Sequence, residues 1–177
     1  MSVIYLLSSL PLLRFDAPPA LAPAAFLSAC RDQLGTADAA AAEALLAGTA
    51  CDHPSVAAWR DRDTILRNAV ARQRARQAGS DASRWLRSAQ GCDTLIESLV
   101  EDAFDEPDPL RREKALDKIR WRVAEELQGP DPLDVRGVFA YAVKLALLAR
   151  WAALTPEQGQ TAFDRLTEIP LTLNTGE

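Results

Sequence analysis

Arginine is the residue type most able to do chemistry in this sequence. Residues 60–87 hold Arg60, Arg62, Arg67, Arg72, Arg74, Arg76, Arg84 and Arg87 against Asp61, Asp63 and Asp81. This stretch is net +5 in a chain of net −5, so the remainder carries −10. Guanidinium groups recognise carboxylates and phosphates through paired donors. Arg60, Arg67 and Arg74 are seven apart, which keeps them on one face of a helix. Three uses fit such a face. It can be solvated and laced with local ion pairs, such as Asp63 to Arg67 at i,i+4. It can dock an acidic protein partner, with Arg72 and Arg76 contributing. It can bind phosphate or nucleic acid, but Trp85 is the only aromatic near the basic half and no stacking platform is visible. No nucleic-acid partner is therefore expected.

Two further groups stand out. In Leu116-Asp117-Lys118-Ile119-Arg120-Trp121, Trp121 continues the apolar face beside Ile119 and Val123, and Asp117 and Arg120 lie three apart. A core tryptophan with a local ion pair is the expectation. In Ala140-Tyr141-Ala142-Val143-Lys144-Leu145, followed by Arg150-Trp151, a lone lysine sits in a helix that is apolar nearly all round. A buried ammonium is costly unless paired. Lys144 must snorkel outward or meet a carboxylate, Asp117 or Glu125. Asp117, Arg120, Trp121, Tyr141, Lys144 and Trp151 are thus read as structural residues.

Signals for catalysis are weak. His53 is the only histidine and precedes a proline at a helix start, where a cap or loop role is expected. Without a second histidine or a close cysteine pair, a zinc site has almost no ligands to draw on. There is no phosphate-binding glycine loop and no nucleophile elbow. The carboxylates fall on predicted solvent faces. No catalytic, cofactor-binding or metal residue is assigned, no small-molecule ligand is identified, and the chain is read as a non-enzyme.

The elements that would hold these side chains are helices. Pro23 opens one running to about Gln33, and Thr36 can cap an Ala-rich one ending at Gly48. Pro54 to Ala78 has no Gly or internal Pro and predicts one helix of about 37 Å, closed by Gly79. Ser80 or Asp81 caps a short helix with Trp85 and Leu86. Cys92 to Phe104 is amphipathic through Leu95, Ile96, Leu99 and Val100. Asp108 and Pro109 start a helix to about Gln128. Asp134 caps the most hydrophobic helix, ending near Leu154, and Thr155-Pro156-Glu157 starts the last, reaching about Leu166. Residues 1–13 are expected to pack on the core: the run is too short to span a membrane and lacks the basic start of a secretory signal.

Composition agrees. The 177 residues include 32 Ala and 25 Leu but only 22 Val, Ile and Thr together, which favours helices over strands. The expectation is an all-α, single compact domain of about eight helices over residues 1–169, with a subdivision near 105–109 allowed and a flexible tail at 170–177. Cys30, Cys51 and Cys92 do not make a disulfide framework and read as reduced cytosolic thiols.

The segment Tyr5-Leu6-Leu7-Ser8-Ser9-Leu10-Pro11, the Leu116–Trp121 stretch and the Tyr141–Leu145 run ending in Arg150-Trp151 resemble a bacterial family of unknown function. Its members are typically encoded beside subunits of V/A-type rotary ATPases. Thr64-Ile65-Leu66-Arg67, Arg74, Gly79, Trp85-Leu86 and Leu95 to Leu99 resemble one module of the C/d subunit of these ATPases. Asp63 departs from that pattern, where Asn is common, and the chain is short for three modules. The resemblance implies part of the C/d architecture and a non-catalytic subunit or accessory or assembly factor. It would be cytoplasmic, peripheral to the inner membrane through the ATPase complex, without inserting into it, and would dock an acidic surface of the ATPase subunits through a basic helical face. The alternative is a stand-alone helical enzyme or ligand-binding bundle.

Overall fold

The run without glycine or internal proline from residue 54 to 78 forms a single helix, α4, Pro54–Ala78. Pro54 takes a first-turn position, where its missing N–H costs nothing. His53 caps this end: its Nδ1 accepts from Ser55 N at 3.2 Å. Gly79 closes the other end at φ 62°, in the left-handed region that glycine enters without strain. The computed structural model describes residues 2–167. The other helices are α1 (Val3–Ser9), α2 (Pro23–Gln33), α3 (Thr36–Ala47), α5 (Thr94–Phe104), α6 (Pro109–Gln128), α7 (Arg136–Ala153) and α8 (Pro156–Thr167), and α4 packs against α3, α5 and α6. The protein is all-α, with eight helices and no strand among the described residues. The proposed tail at 170–177 lies outside them.

Three local expectations need correction. No α-helix forms around Trp85; only a 3-10 turn does, Ser83–Trp85. Asp81 accounts for this, since its Oδ1 accepts from Ser83 N at 3.0 Å and its Oδ2 from the Ser83 hydroxyl. Such an Asp turn competes with helical hydrogen bonding. Gly35, not Thr36, occupies the cap position of α3. Val135, not Asp134, occupies the cap position of α7, and Asp134, one residue further back, accepts from Arg136 N at 2.8 Å.

The core has two parts. Leu6, Phe26, Cys30, Leu45, Val56, Val138, Phe139 and Leu145 bring α1, α2, α3 and the start of α4 against α7. Ile65, Leu66, Val70, Ile96, Val100, Leu116, Ile119 and Val123 join α4, α5 and α6. Each fully buried side chain of this size contributes roughly 1.5–3 kcal/mol. Trp59 packs against both parts. The loop at 105–108 joins α5 to α6, which share the second part. No single helix among the described residues is long and apolar enough to cross a membrane. The apolar length of α7 is instead spent on the core, with Val138, Ala142 and Leu145 at 0% exposure.

Candidate interaction face

The arginines of α4 do not share one face. Arg60, Arg67 and Arg74 follow one stripe, drifting only about 20° per seven residues. Arg72 and Arg76 lie about half a turn away. Tertiary partners show the split. Arg72 meets Glu97 at 2.8 Å and Arg76 meets Glu101 at 3.6 Å, both on α5. Arg74 meets Glu113 of α6 at 3.3 Å, and Arg67 meets Asp63 at 2.6 Å. Arg62 bridges Asp93 at 2.7 Å and Glu126 at 2.9 Å. A single basic face of five arginines is therefore corrected to two flanks of α4. Each is set against an acidic neighbour drawn from the −10 part of the chain.

Behind the α6 flank the ion pairs run inward. Arg120 Nε donates to Asp63 Oδ1 at 3.1 Å, and its Nη1 donates to Asp117 Oδ1 at 2.8 Å. Asp117 is completely buried. Its second oxygen accepts from Trp151 Nε1 at 2.8 Å and from Arg150 Nη2. The expectation that the carboxylates lie on solvent faces fails here. A buried carboxylate is tolerable because two guanidinium groups and an indole N–H satisfy it. Burial works to lower the Arg120 pKa, but the charges of Asp63 and Asp117 outweigh it and hold the guanidinium above its ordinary value. The node ties α4, α6 and α7 together. Sequence spacing offered only the Asp117–Arg120 pair, because Arg150 and Trp151 are more than thirty residues away.

The lone lysine of α7 also finds an acid. Lys144 Nζ donates to Glu125 Oε1 at 3.0 Å, and the same oxygen accepts from Trp121 Nε1 at 2.9 Å. The ammonium lies 4.9 Å from the Trp121 ring centroid, a cation–π distance. Tyr141 stacks on Phe26 with centroids 5.2 Å apart. Its hydroxyl is buried without a hydrogen-bond partner among the described residues. Burial pushes the Tyr141 phenol up to about 12 and the Cys30 thiol, in the same core, up to about 12.

The α4–α6 flank borders a groove of about 570 Å³. Arg67, Arg74 and Arg120 line it together with Glu113, and Val70, Ala75 and Leu116 form its floor. Trp85 stands on its rim, half exposed, with the Arg84 guanidinium 4.2 Å from its ring centroid. Asn68 holds that rim in place, and its buried side chain carried no functional signal in the sequence. Its Nδ2 donates to Arg87 O at 2.7 Å, and its Oδ1 accepts from Arg87 N at 2.9 Å. Gln90 N donates to Asp61 Oδ1 at 2.8 Å and adds a second tether. A smaller cavity of about 270 Å³, lined by Leu45, Trp59, Phe139 and Val143 among others, lies between α3, α4, α6 and α7. Among the described residues, no group of three or more His, Cys, Asp or Glu is placed to hold a metal ion.

Fold and site together define an all-α protein whose arginine-rich helix is held between acidic neighbours and edged by an arginine-lined groove. Residues 93–170 match the model of a family described as "Protein of unknown function (DUF2764)". The match takes in α5, α6, α7 and α8, and with them Asp117, Arg120, Lys144 and Trp151; the arginines of α4 lie outside it. No curated protein and no solved structure matches the chain.

Proposed function

We propose that this protein is a non-catalytic subunit, or an accessory or assembly factor, of a V/A-type rotary ATPase and works by docking an acidic surface of its partner. The observation that carries the docking reading is the layering of charge on the α4–α6 flank. Arg67 and Arg74 are 59% and 65% exposed, whereas Asp63 and Asp117 behind them are 13% and 0% exposed. Asp63, the partner of Arg67, lies inward, and Glu113, the partner of Arg74, is itself 43% exposed but less so than the guanidinium it meets, so the flank presents more guanidinium than carboxylate outward despite the pairing. Opposed potentials of this kind steer association and suppress wrong partners. The link to the ATPase rests on the likeness of the α1, α6 and α7 segments to the family encoded beside those subunits. On this reading the protein acts in the cytoplasm, at the periphery of the membrane complex.

The test is affinity purification of the tagged full chain from its own cells at low salt, where exposed charges are least screened. Recovery of ATPase subunits, falling as salt is raised, is the expected result. Recovery of none would refute the ATPase assignment. The alternative, a stand-alone helical enzyme or ligand-binding bundle, would call for converging carboxylates in a closed pocket, whereas this groove is lined mainly by arginines and apolar side chains.

A further inference from the structure

We infer that the groove between the second half of α4 and α6 is a recognition site for a linear acidic segment of a protein partner, one with two carboxylates flanking an apolar side chain. The inference deepens the docking reading and rests on it for the protein nature of the partner. Arg67 and Arg74 lie on one stripe of α4, two turns or about 10 Å apart at 1.5 Å per residue. An extended chain spans that distance in about three residues. Between them the floor is apolar, made by Val70, Ala71, Ala75 and Leu116. Trp85 lines the rim with one ring face covered by Arg84. A segment with carboxylates at both ends and an aliphatic residue in the middle would match the charges, the floor and the indole together.

The present ion pairs leave room for such a partner. Glu113 holds Arg74 only at the surface, with both side chains well exposed. Surface pairs of this kind contribute roughly 0–1 kcal/mol and are readily exchanged. Arg67 keeps Asp63 on one side and turns its exposed remainder to the groove. Arg120 is anchored by Asp63 and Asp117 and so stays fixed at the groove wall. A phosphate ligand would use the guanidinium groups but not the apolar floor between them.

The experiment is fluorescence anisotropy of the full chain with a short fluorescein-labelled peptide bearing two glutamates about three residues apart and a leucine between them. Saturable, salt-sensitive binding is expected. The double variant R67Q/R74Q should weaken it by about tenfold or more, as loss of charged hydrogen bonds implies. R72Q/R76Q, on the opposite flank, should leave it unchanged. A peptide with glutamines for the glutamates, or with serine for the leucine, should bind more weakly. Circular dichroism of both double variants guards against a folding defect; these side chains are exposed, so helicity should be retained.

Absence of binding, equal loss in R72Q/R76Q, indifference to the leucine, or displacement by millimolar inorganic phosphate would each overturn the inference. Comparing wild type with R67Q/R74Q in the affinity purification separates this inference from the ATPase assignment. ATPase subunits recovered equally by both would sink the groove and leave the assignment standing. Peptide binding without recovery of those subunits would do the reverse.

Discussion

At the scale of single residues, the side chain with the greatest structural consequence is Asp117. Its carboxylate is fully buried and satisfied by Arg120, Arg150 and Trp151. Replacing it with Asn removes the countercharge that two arginines share. Breaking a buried pair in this way typically costs about 3–5 kcal/mol. Urea unfolding of Asp117→Asn should show a loss of that order, and a change below about 1 kcal/mol would show that the node is not a structural centre. Tyr141 makes the opposite case. Its hydroxyl is buried with no partner among the described residues, so Tyr141→Phe should be neutral or stabilising by up to about 1 kcal/mol at pH 7. The phenol titrates near 10.0 when unfolded and near 12 in the fold. The native state therefore holds its proton longer than the unfolded state. Its contribution is complete below pH 10 and is lost as pH rises toward 12. Urea midpoints measured across that range should fall less steeply for Tyr141→Phe than for the wild type.

At the scale of elements, the informative contact is between α4 and the loop that follows it. Asn68 satisfies both backbone groups of Arg87 from within the helix. Truncation to Ala would remove both hydrogen bonds to Arg87, an exposed residue, at a cost of about 0.5–1.5 kcal/mol each. Asn68→Ala should loosen residues 80–92, seen as faster hydrogen exchange and earlier proteolysis there, with α5 and α6 remaining protected. Uniform destabilisation of the whole chain would contradict this role. Helix boundaries were largely legible in the sequence because caps and stops act locally. Asp108 with Pro109 opens α6, and Gly79 closes α4, where the sequence places them. The sequence predicts a helix around Trp85, but only a 3-10 turn forms there, because Asp81 and Ser83 favour a turn and Asn68 anchors the chain from a distance. That anchor has no signature in local sequence.

At the scale of the whole molecule, the two parts of the core meet at Trp59. Large aromatic truncations in a core cost about 3–5 kcal/mol. Trp59→Ala should lower stability by an amount near the bottom of that range, because its ring is only partly buried and already borders a cavity. Because it joins the two parts, calorimetry of the variant should resolve two overlapping transitions where the wild type shows one. A single, merely shifted transition would mean that the other links between the parts, the packing of α6 on α7 and of α3 on α4 and the Asp117 node, keep them cooperative.

Helical class and the positions of most helix ends follow from the sequence alone, since propensity, capping and amphipathic spacing are short-range effects. The lysine of α7 had either to snorkel outward or to meet a carboxylate, because an unpaired ammonium is costly in an apolar helix; pairing with Glu125, and not with Asp117, was decided by packing. The tertiary structure decided where the charges go. It divided the arginines of α4 between two flanks and set acids of α5 and α6 against them. It also sank Asp117 beneath Arg120 and Arg150. A charge imbalance read along the chain says nothing of these pairings, because electrostatic energy depends on distance in space, and the chain brings its acidic and basic parts together only when it folds.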